Sequence, residues 1–142
     1  MRNVSQILER KGGQVVSVGR DAPVLEAIRL MAEHHIGAVL VMDGPALQGI
    51  ASERDYARKV ILQGRASGDT PVHMIMSAPV VCVGPGDSVP DCMAIMTERH
   101  IRHLPVVEGG RVVGIVSIGD LVKETIEDQK QEISYLQQYI AG

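Results

Sequence analysis

The sequence predicts an α/β protein built from two copies of one β-α-β-β-α unit. The main observation is a repeat: shifted by 65 residues, Val15–Tyr56 falls on Val80–Leu121 without a gap, and 15 of the 42 aligned positions are identical. In each copy, short apolar runs bounded by turn residues alternate with apolar residues at helical spacing. About 60 residues bury too little surface to be secure alone. We therefore expect two copies related by a pseudo-twofold axis, each a small sheet packed against two helices.

The composition sets the class of protein. The chain has 142 residues, of which 45% are apolar and 22% charged, a balance typical of an ordered globular protein. The net charge of −3 gives no basic field, so nucleic acid is not expected as a partner. Three Tyr without Phe or Trp predict an aliphatic core. No apolar run approaches the roughly 18 residues of a membrane helix, and no signal peptide or CxxC pattern occurs. We expect a cytoplasmic protein with no membrane partner.

Each copy contains the same elements in the same order. A short strand, Val15–Val18 or Val80–Val83, is followed by a helix. The apolar stripe of these helices consists of Val24, Ile28, Met31 and Ile36 in the first copy, and Val89, Met93, Met96 and Ile101 in the second. A hairpin follows, clearest in the second copy as Leu104–Val107 and Val112–Val116. The second helix of each copy begins near Ser52 or Ser117.

The repeat also sets the predicted domain boundaries. Residues 1–65 form the first motif, residues 71–126 the second, and residues 127–142 a helical C-terminal tail. Gly64–Pro71 is rich in turn residues and is interpreted as the linker. The tail has a loose apolar stripe, formed by Ile126, Ile133, Leu136, Tyr139 and Ile140. This stripe either packs back on its own domain or makes a dimer contact.

The most informative motif is Gly49–Asp55, GIASERD, which recurs as GIVSIGD at Gly114–Asp120. A strand ends at a glycine, where backbone can approach a ligand closely. A serine then begins a helix, whose free N–H groups favour an anion such as phosphate. The aspartate three residues later is suited to accept hydrogen bonds from ribose hydroxyls. The alternative is that Ser-x-x-Asp simply caps the helix and needs no ligand.

These two motifs, the preceding HIGAVLV and HIRHLPVV segments, and the repeat give the sequence a specific resemblance. Over nearly its full length it resembles the tandem CBS-domain pair, or Bateman module, and in size the stand-alone bacterial CBS-domain proteins. The resemblance implies a regulatory module in signal transduction and energy sensing that is not an enzyme and has no catalytic cofactor. It implies two clefts for adenine nucleotides (AMP, ADP, ATP or NAD) and pairing as a homodimer.

The resemblance also implies two sets of binding residues. One cleft would use Ser117 and Asp120 with Arg102 and His103, and its adenine pocket would be lined by Val16, Ile36, Gly37 and Ala38. The other would use Ser52 and Asp55, with a wall formed by Val81, Ile101 and Arg102. The basic residues after the first motif either supply positive charge there or form a solvated helix face; they are Arg54, Arg58 and Lys59.

The two sites are not expected to be equal. Where the second copy has Arg102-His103, the first has Gly37-Ala38 and lacks that grip on phosphate. Lys59 aligns with Glu124, which reverses the charge at that position. We therefore expect the sites to differ in affinity or in preferred phosphate number.

Catalysis and metal binding have little support in the sequence. No nucleophile–base pair or cluster of metal-ligating residues at a recognisable spacing is present, so neither catalytic nor metal-binding residues are assigned. The alternative function is a protein-interaction or dimerisation scaffold whose nucleotide clefts are vestigial. Because no effector domain accompanies the repeats, a switch of this kind would need a separate effector protein. The identity of the physiological adenosyl ligand is left open.

Overall fold

The computed structural model describes residues 2–141, which divide into two compact units. The first unit comprises residues 15–81. The second unit combines residues 2–14 with residues 82–141. The segment that precedes each repeat in sequence therefore folds with the other repeat. Residues 2–14 belong to the unit of the second repeat, and residues 66–81 belong to the unit of the first.

The first unit is a three-stranded sheet in the order β1-β2-β3 with helices packed against it. Its elements are β1 (Ser17–Gly19), α2 (Val24–His34), β2 (Ala38–Asp43), β3 (Ala46–Ser52), the short helix α3 (Glu53–Tyr56), a π-helical turn (Ala57–Ile61) and a 3₁₀ turn (Val72–Met74). Strand β1 is parallel to β2, and β2 is antiparallel to β3. The core contains Val18, Val24, Ala27, Met31, Val39, Val41, Ala51, Val60, Val72 and Ile75.

The second unit repeats this plan with a two-stranded sheet. Its elements are α1 (Val4–Lys11), α4 (Val89–Arg99), β4 (His103–Glu108), β5 (Arg111–Ser117) and the long helix α5 (Ile118–Ala141). Its buried apolar residues are Val4, Ile7, Val83, Val89, Cys92, Met96, Leu104, Val106, Val116 and Leu121. The predicted α/β class and the two repeats are confirmed. Among residues 2–141, no helix is long and apolar enough to cross a membrane.

The strand predicted at Val80–Val83 in the second repeat does not form. Val80–Val83 was expected to pair as Val15–Val18 would, but only one parallel bridge forms, between Val83 and Val106. In the first unit the amide of Leu40 donates to the carbonyl of Val16 at 3.1 Å. The residue aligned with Leu40 is Pro105, which has no N–H to donate, so the equivalent bond cannot form.

The predicted linker is a packed part of the first unit. The carbonyls of Ser67 and Thr70 accept hydrogen bonds from the amides of Leu25 and Val24, at 3.0 and 2.8 Å. Thr70 is buried. These bonds satisfy the otherwise unpaired amides of the first turn of α2, whose preceding residue, Pro23, offers no side-chain cap. Gly64–Pro71 therefore caps a helix.

The glycines of the two motifs face their own chain. A Cβ on Gly114 would lie 2.6 Å from Leu8 Cδ2, and one on Gly49 would lie 2.5 Å from Met76 Sδ. Leu8 lies in α1, and Met76 follows the 3₁₀ turn, in the segments that precede each repeat. At both glycines, the space next to the Cα is therefore filled by a side chain of the same unit.

Histidines end the first long helix of each repeat in the left-handed conformation. His35 has φ 53° and His100 has φ 56°, and their amides donate to the carbonyls of Met31 and Met96. The following residue also donates to the same carbonyl, which completes a Schellman-type ending. A residue with a Cβ is disfavoured in this conformation, so both histidines store a small strain.

His35→Gly is expected to raise the free energy of unfolding by about 0.5–1 kcal/mol, because glycine adopts positive φ without a steric cost. The measurement is urea unfolding followed by circular dichroism. The neighbouring exposed residue provides a matched control: His34 is the last residue of α2 and has no positive φ, so glycine there relieves no strain and should instead destabilise by up to about 1 kcal/mol. Equal destabilisation by both substitutions would contradict the assignment.

Candidate functional site

Both motifs place a serine and an aspartate at the junction of a strand and a helix. Ser52 ends β3 and Ser117 ends β5. The serine amide donates to the aspartate Oδ2 at 3.0 Å in the first unit and 2.8 Å in the second. The aspartate amide donates to the serine Oγ at 3.2 and 3.1 Å. The reciprocal capping box expected as the alternative is therefore formed twice.

Pairing of the hairpin strands brings further predicted residues to each cap. His103 lies directly opposite Ser117, as Ala38 lies opposite Ser52. The amide of Ile118 donates to the carbonyl of Arg102 at 2.9 Å, and the amide of Glu53 donates to Gly37 in the same way at 3.0 Å. The second unit thus places Arg102 and His103 beside Ser117 and Asp120.

The remaining predicted residues are divided between the two units. Gly37 and Ala38 stand beside Ser52 in the first unit, which also contains Val16, Ile36 and Val81. Val16 and Ile36 pack against its core. Ile101, in the second unit, donates its amide to the carbonyl of Met96 at 3.1 Å. Arg54, Arg58 and Arg102 are exposed.

Each motif aspartate is paired with a lysine. Lys59 Nζ lies 3.3 Å from Asp55 Oδ1 and donates to the carbonyl of Ile75 at 3.0 Å. In the second unit, Lys11 Nζ donates to Asp120 Oδ2 at 2.7 Å and to the carbonyl of Ile115 at 2.9 Å. The sequence left open whether Lys59 supplies charge to a ligand or lies on a solvated helix face, and in the structure it pairs with the aspartate of its own motif.

Sequence reasoning missed Lys11. The position of Lys59 is taken by Glu124 in the second repeat, so the alignment places no cation at that position. The chain supplies that charge from the last residue of α1, which precedes the aligned repeat. A basic residue at a helix end has the favourable dipole interaction as its ordinary explanation, so the sequence alone gave no signal of the pairing.

Burial, hydrogen bonds and nearby charges around the second cap shift two pKa values. Burial alone raises the pKa of the Asp120 carboxyl, but hydrogen bonds from Lys11 and Ser117 outweigh burial and hold that pKa below its ordinary value. Burial also lowers the pKa of His103, and the positive charges of Lys11 and Arg102 lower it further, against the opposing effect of Asp120. Near neutral pH the patch therefore contains an ionised aspartate and a neutral imidazole.

The lowered pKa of His103 predicts a loss of stability in mild acid. Because the unfolded chain binds this proton at a higher pH than the folded one, stability falls as the pH drops below about 6.5, the ordinary histidine value. His103→Gln should remove that contribution. The free-energy difference between wild type and His103→Gln, from urea titrations, should change between about pH 8 and about pH 5. His34→Gln, at an exposed position, is the control and should follow wild type.

A model of the CBS domain matches residues 4–61 and again residues 72–127. The chain belongs to the CBS-domain family. Both matches follow the sequence repeat and include the preceding segment, whereas the compact units exchange those segments.

Known CBS-domain proteins resemble this chain over most of its length. A candidate signal-transduction protein with CBS domains from Burkholderia ambifaria has 52% identity and a TM-score of 0.86, covering 89% of this chain and 96% of that one. A mitochondrial CBS domain-containing protein of Arabidopsis thaliana is 36% identical over 98% of this chain and 72% of its own length. A hexameric CBS-CP12 protein from bloom-forming cyanobacteria has 27% identity and a TM-score of 0.77, covering 86% and 70%. CBS-domain pairs of this kind are generally non-catalytic modules of regulation and signal transduction.

Proposed function

We propose that this CBS-domain protein senses an adenine nucleotide, such as AMP, ADP, ATP or NAD, and has no catalytic activity of its own. The observation that supports this most is the grouping of Asp120 with Lys11, Arg102 and His103 in the second unit. A carboxylate can accept hydrogen bonds from vicinal ribose hydroxyls, and the basic groups can hold phosphate. Such a patch combines both recognition elements of a nucleotide.

The hydrogen bonds of Asp120 leave a place for ribose. Its Oδ2 accepts from Lys11 and Ser117, and among the described residues neither of these bonds uses Oδ1. An ammonium has three donors, of which Lys11 uses two, so the third can bind a phosphate oxygen. Ligand binding in this arrangement adds to the cap and does not require it to open.

The first motif offers less to a nucleotide. Both carboxylate oxygens of Asp55 are engaged, Oδ1 by Lys59 and Oδ2 by Ser52. Gly37 and Ala38 stand where the second unit has Arg102 and His103. We therefore propose that the site at Asp120 binds more tightly than the one at Asp55.

Asp120→Asn is expected to lower nucleotide affinity about 10- to 100-fold, because it removes a hydrogen bond to a charged group. The measurement is the shift in melting temperature on adding AMP, ADP, ATP, NAD or S-adenosylmethionine, each variant compared with its own ligand-free state. Asp91→Asn is the matched control, since Asp91 follows the Ser88 cap of α4 in another Ser-x-x-Asp sequence. No shift with any ligand, or equal shifts in both variants, would refute the proposal.

Titration calorimetry tests the inequality of the sites. With the nucleotide that gives the largest melting shift, we expect two binding events of different affinity, the tighter one weakened by Arg102→Ala. Two equal events unaffected by Arg102→Ala would contradict the inequality while leaving nucleotide binding intact.

The exposed far half of α5 favours a second candidate, a protein-interaction or dimerisation scaffold with vestigial clefts. The cyanobacterial relative is hexameric, which supports self-association for this chain as well. A chain that ends at Glu127 should then form a smaller oligomer in size-exclusion chromatography. An unchanged oligomer would exclude the tail as the interface. The proposal as a whole includes a homodimer, a cytoplasmic location, a role in energy sensing and a separate effector protein.

A further inference from the structure

The far half of α5 makes one side-chain contact with the rest of the described chain, a hydrogen bond from Arg2 to Gln131, and its apolar side chains lie in the open. Every residue from Gln129 to Ala141 is exposed. The exposed fractions of Ile133, Leu136 and Ile140 are 54%, 57% and 83%. A helical segment of this length is marginal in water without an apolar face to bury. Burial of these side chains against another surface would therefore stabilise the helix.

The apolar residues of α5 follow a heptad pattern. Steps of four and three residues alternate along the positions Val122, Ile126, Gln129, Ile133, Leu136 and Ile140. With Ile126 taken as position a, isoleucine occupies each a position, and the d positions hold Val122, Gln129 and Leu136. β-Branched residues at a with Leu at d favour two parallel strands, and this combination is present where Ile133 and Ile140 flank Leu136. One polar residue, Gln129, interrupts the seam.

The face of α5 opposite this seam is already occupied. Arg2 bonds or pairs with Glu124, Asp128 and Gln131, at heptad positions f, c and f. The seam itself faces away from these contacts: Val122 and Ile126 are 42% and 46% exposed. The apolar surface thus continues from the folded unit to the end of the helix.

We propose that α5 pairs with α5 of a second copy of this chain as a parallel two-stranded coiled coil over Val122–Ile140. Flanking charges set the orientation. In a parallel pair, each g residue faces the e residue of the next heptad, so Glu132 faces Gln137 and Thr125 faces Lys130. An antiparallel pair using the same seam would place Lys130 against Lys130 and Glu132 against Glu132. The parallel arrangement avoids both like-charge contacts.

The polar layer gives the same orientation independently. In the parallel pair in register, Gln129 faces Gln129, and the two amides can hydrogen-bond with each other. In the antiparallel register, Gln129 would face Ile133 and lose its partner. A single polar core residue of this kind specifies register at some cost in stability.

Light scattering on the full chain tests the interface. The wild type should be an even-numbered assembly, and Ile133→Lys should halve its mass. Tyr135→Lys is the matched control because Tyr135 is 66% exposed but lies outside the seam, so the mass should not change. A monomeric wild type, or equal masses for wild type and Ile133→Lys, would overturn the proposal. Leu136→Gln serves as a second seam variant, and circular dichroism checks that each variant is folded.

Oxidative crosslinking tests the orientation in a Cys82→Ser background. In the parallel pair Ile140 faces Ile140, so Ile140→Cys should form a disulfide-linked dimer, whereas the outward position in Gln138→Cys should not. In the antiparallel pair the two copies of residue 140 would be separated by 18 residues, about 27 Å along the axis. No crosslink at position 140, or equal crosslinking at 138, would exclude the parallel coil. Neither outcome depends on nucleotide binding.

Discussion

Glu124→Ala is expected to lower the free energy of unfolding by about 3–5 kcal/mol. Glu124 is only 2% exposed although it is charged. Its Oε1 accepts a hydrogen bond from Arg2 at 2.8 Å, and its Oε2 lies 3.5 Å from Arg10. Removing the carboxylate leaves the mostly buried guanidinium of Arg2 without its closest counter-charge. Because Arg2 keeps Gln131 and the more distant Asp128, we expect the lower end of the range.

Urea unfolding at neutral pH measures this effect. Glu127→Ala is the control in the same helix, since Glu127 makes a more exposed pair with Lys130 at 3.9 Å and should change stability by less than about 0.5 kcal/mol. Equal effects of the two substitutions would show that the buried pair contributes no more than a surface pair. The expected difference would establish that residues 2–11 are held on α5 by charge.

Gly49→Ala is expected to cost about 1–3 kcal/mol through overpacking. The added Cβ would meet Met76 Sδ at 2.5 Å and the carbonyl oxygen of Ser77 at 3.0 Å. Met76 can change its rotamer, but Ser77 is held by two backbone hydrogen bonds with Ile50, of 3.1 and 2.8 Å. The backbone must therefore shift to admit a methyl group.

Chemical denaturation of Gly49→Ala, compared with alanine substitutions at two other glycines, measures this effect. The three atoms nearest to a Cβ on Gly114 are all side-chain carbons of Leu8, so Gly114→Ala should cost less than Gly49→Ala. Gly19→Ala meets nothing within 4 Å and should change stability by less than about 0.5 kcal/mol. A Gly49→Ala protein as stable as Gly19→Ala would mean that the preceding segment packs loosely on the motif.

Several features of the fold could be predicted because they depend on local sequence. The duplication, both hairpins and the helix starts at Ser52 and Ser117 follow from apolar periodicity and capping residues. The placement of His103 beside Ser117 follows as well, since a hairpin fixes which residues of its strands are opposite each other. The missing strand at Val80–Val83 was also readable, because Pro105 removes a donor that the first repeat uses.

The contacts of the preceding segments required the tertiary structure. Residues 2–14 fold with the second repeat, so Lys11 reaches Asp120 across 109 positions and Arg2 reaches Glu124 across 122. Neither pairing leaves a periodic trace, because a salt bridge between distant residues depends on where folding brings two helices. The sequence by itself determined the repeat, the capped motifs and their unequal charge. Only the tertiary structure decided which cations neutralise Asp120 and Glu124, since Coulomb attraction at a few ångströms depends on distance in space and not along the chain.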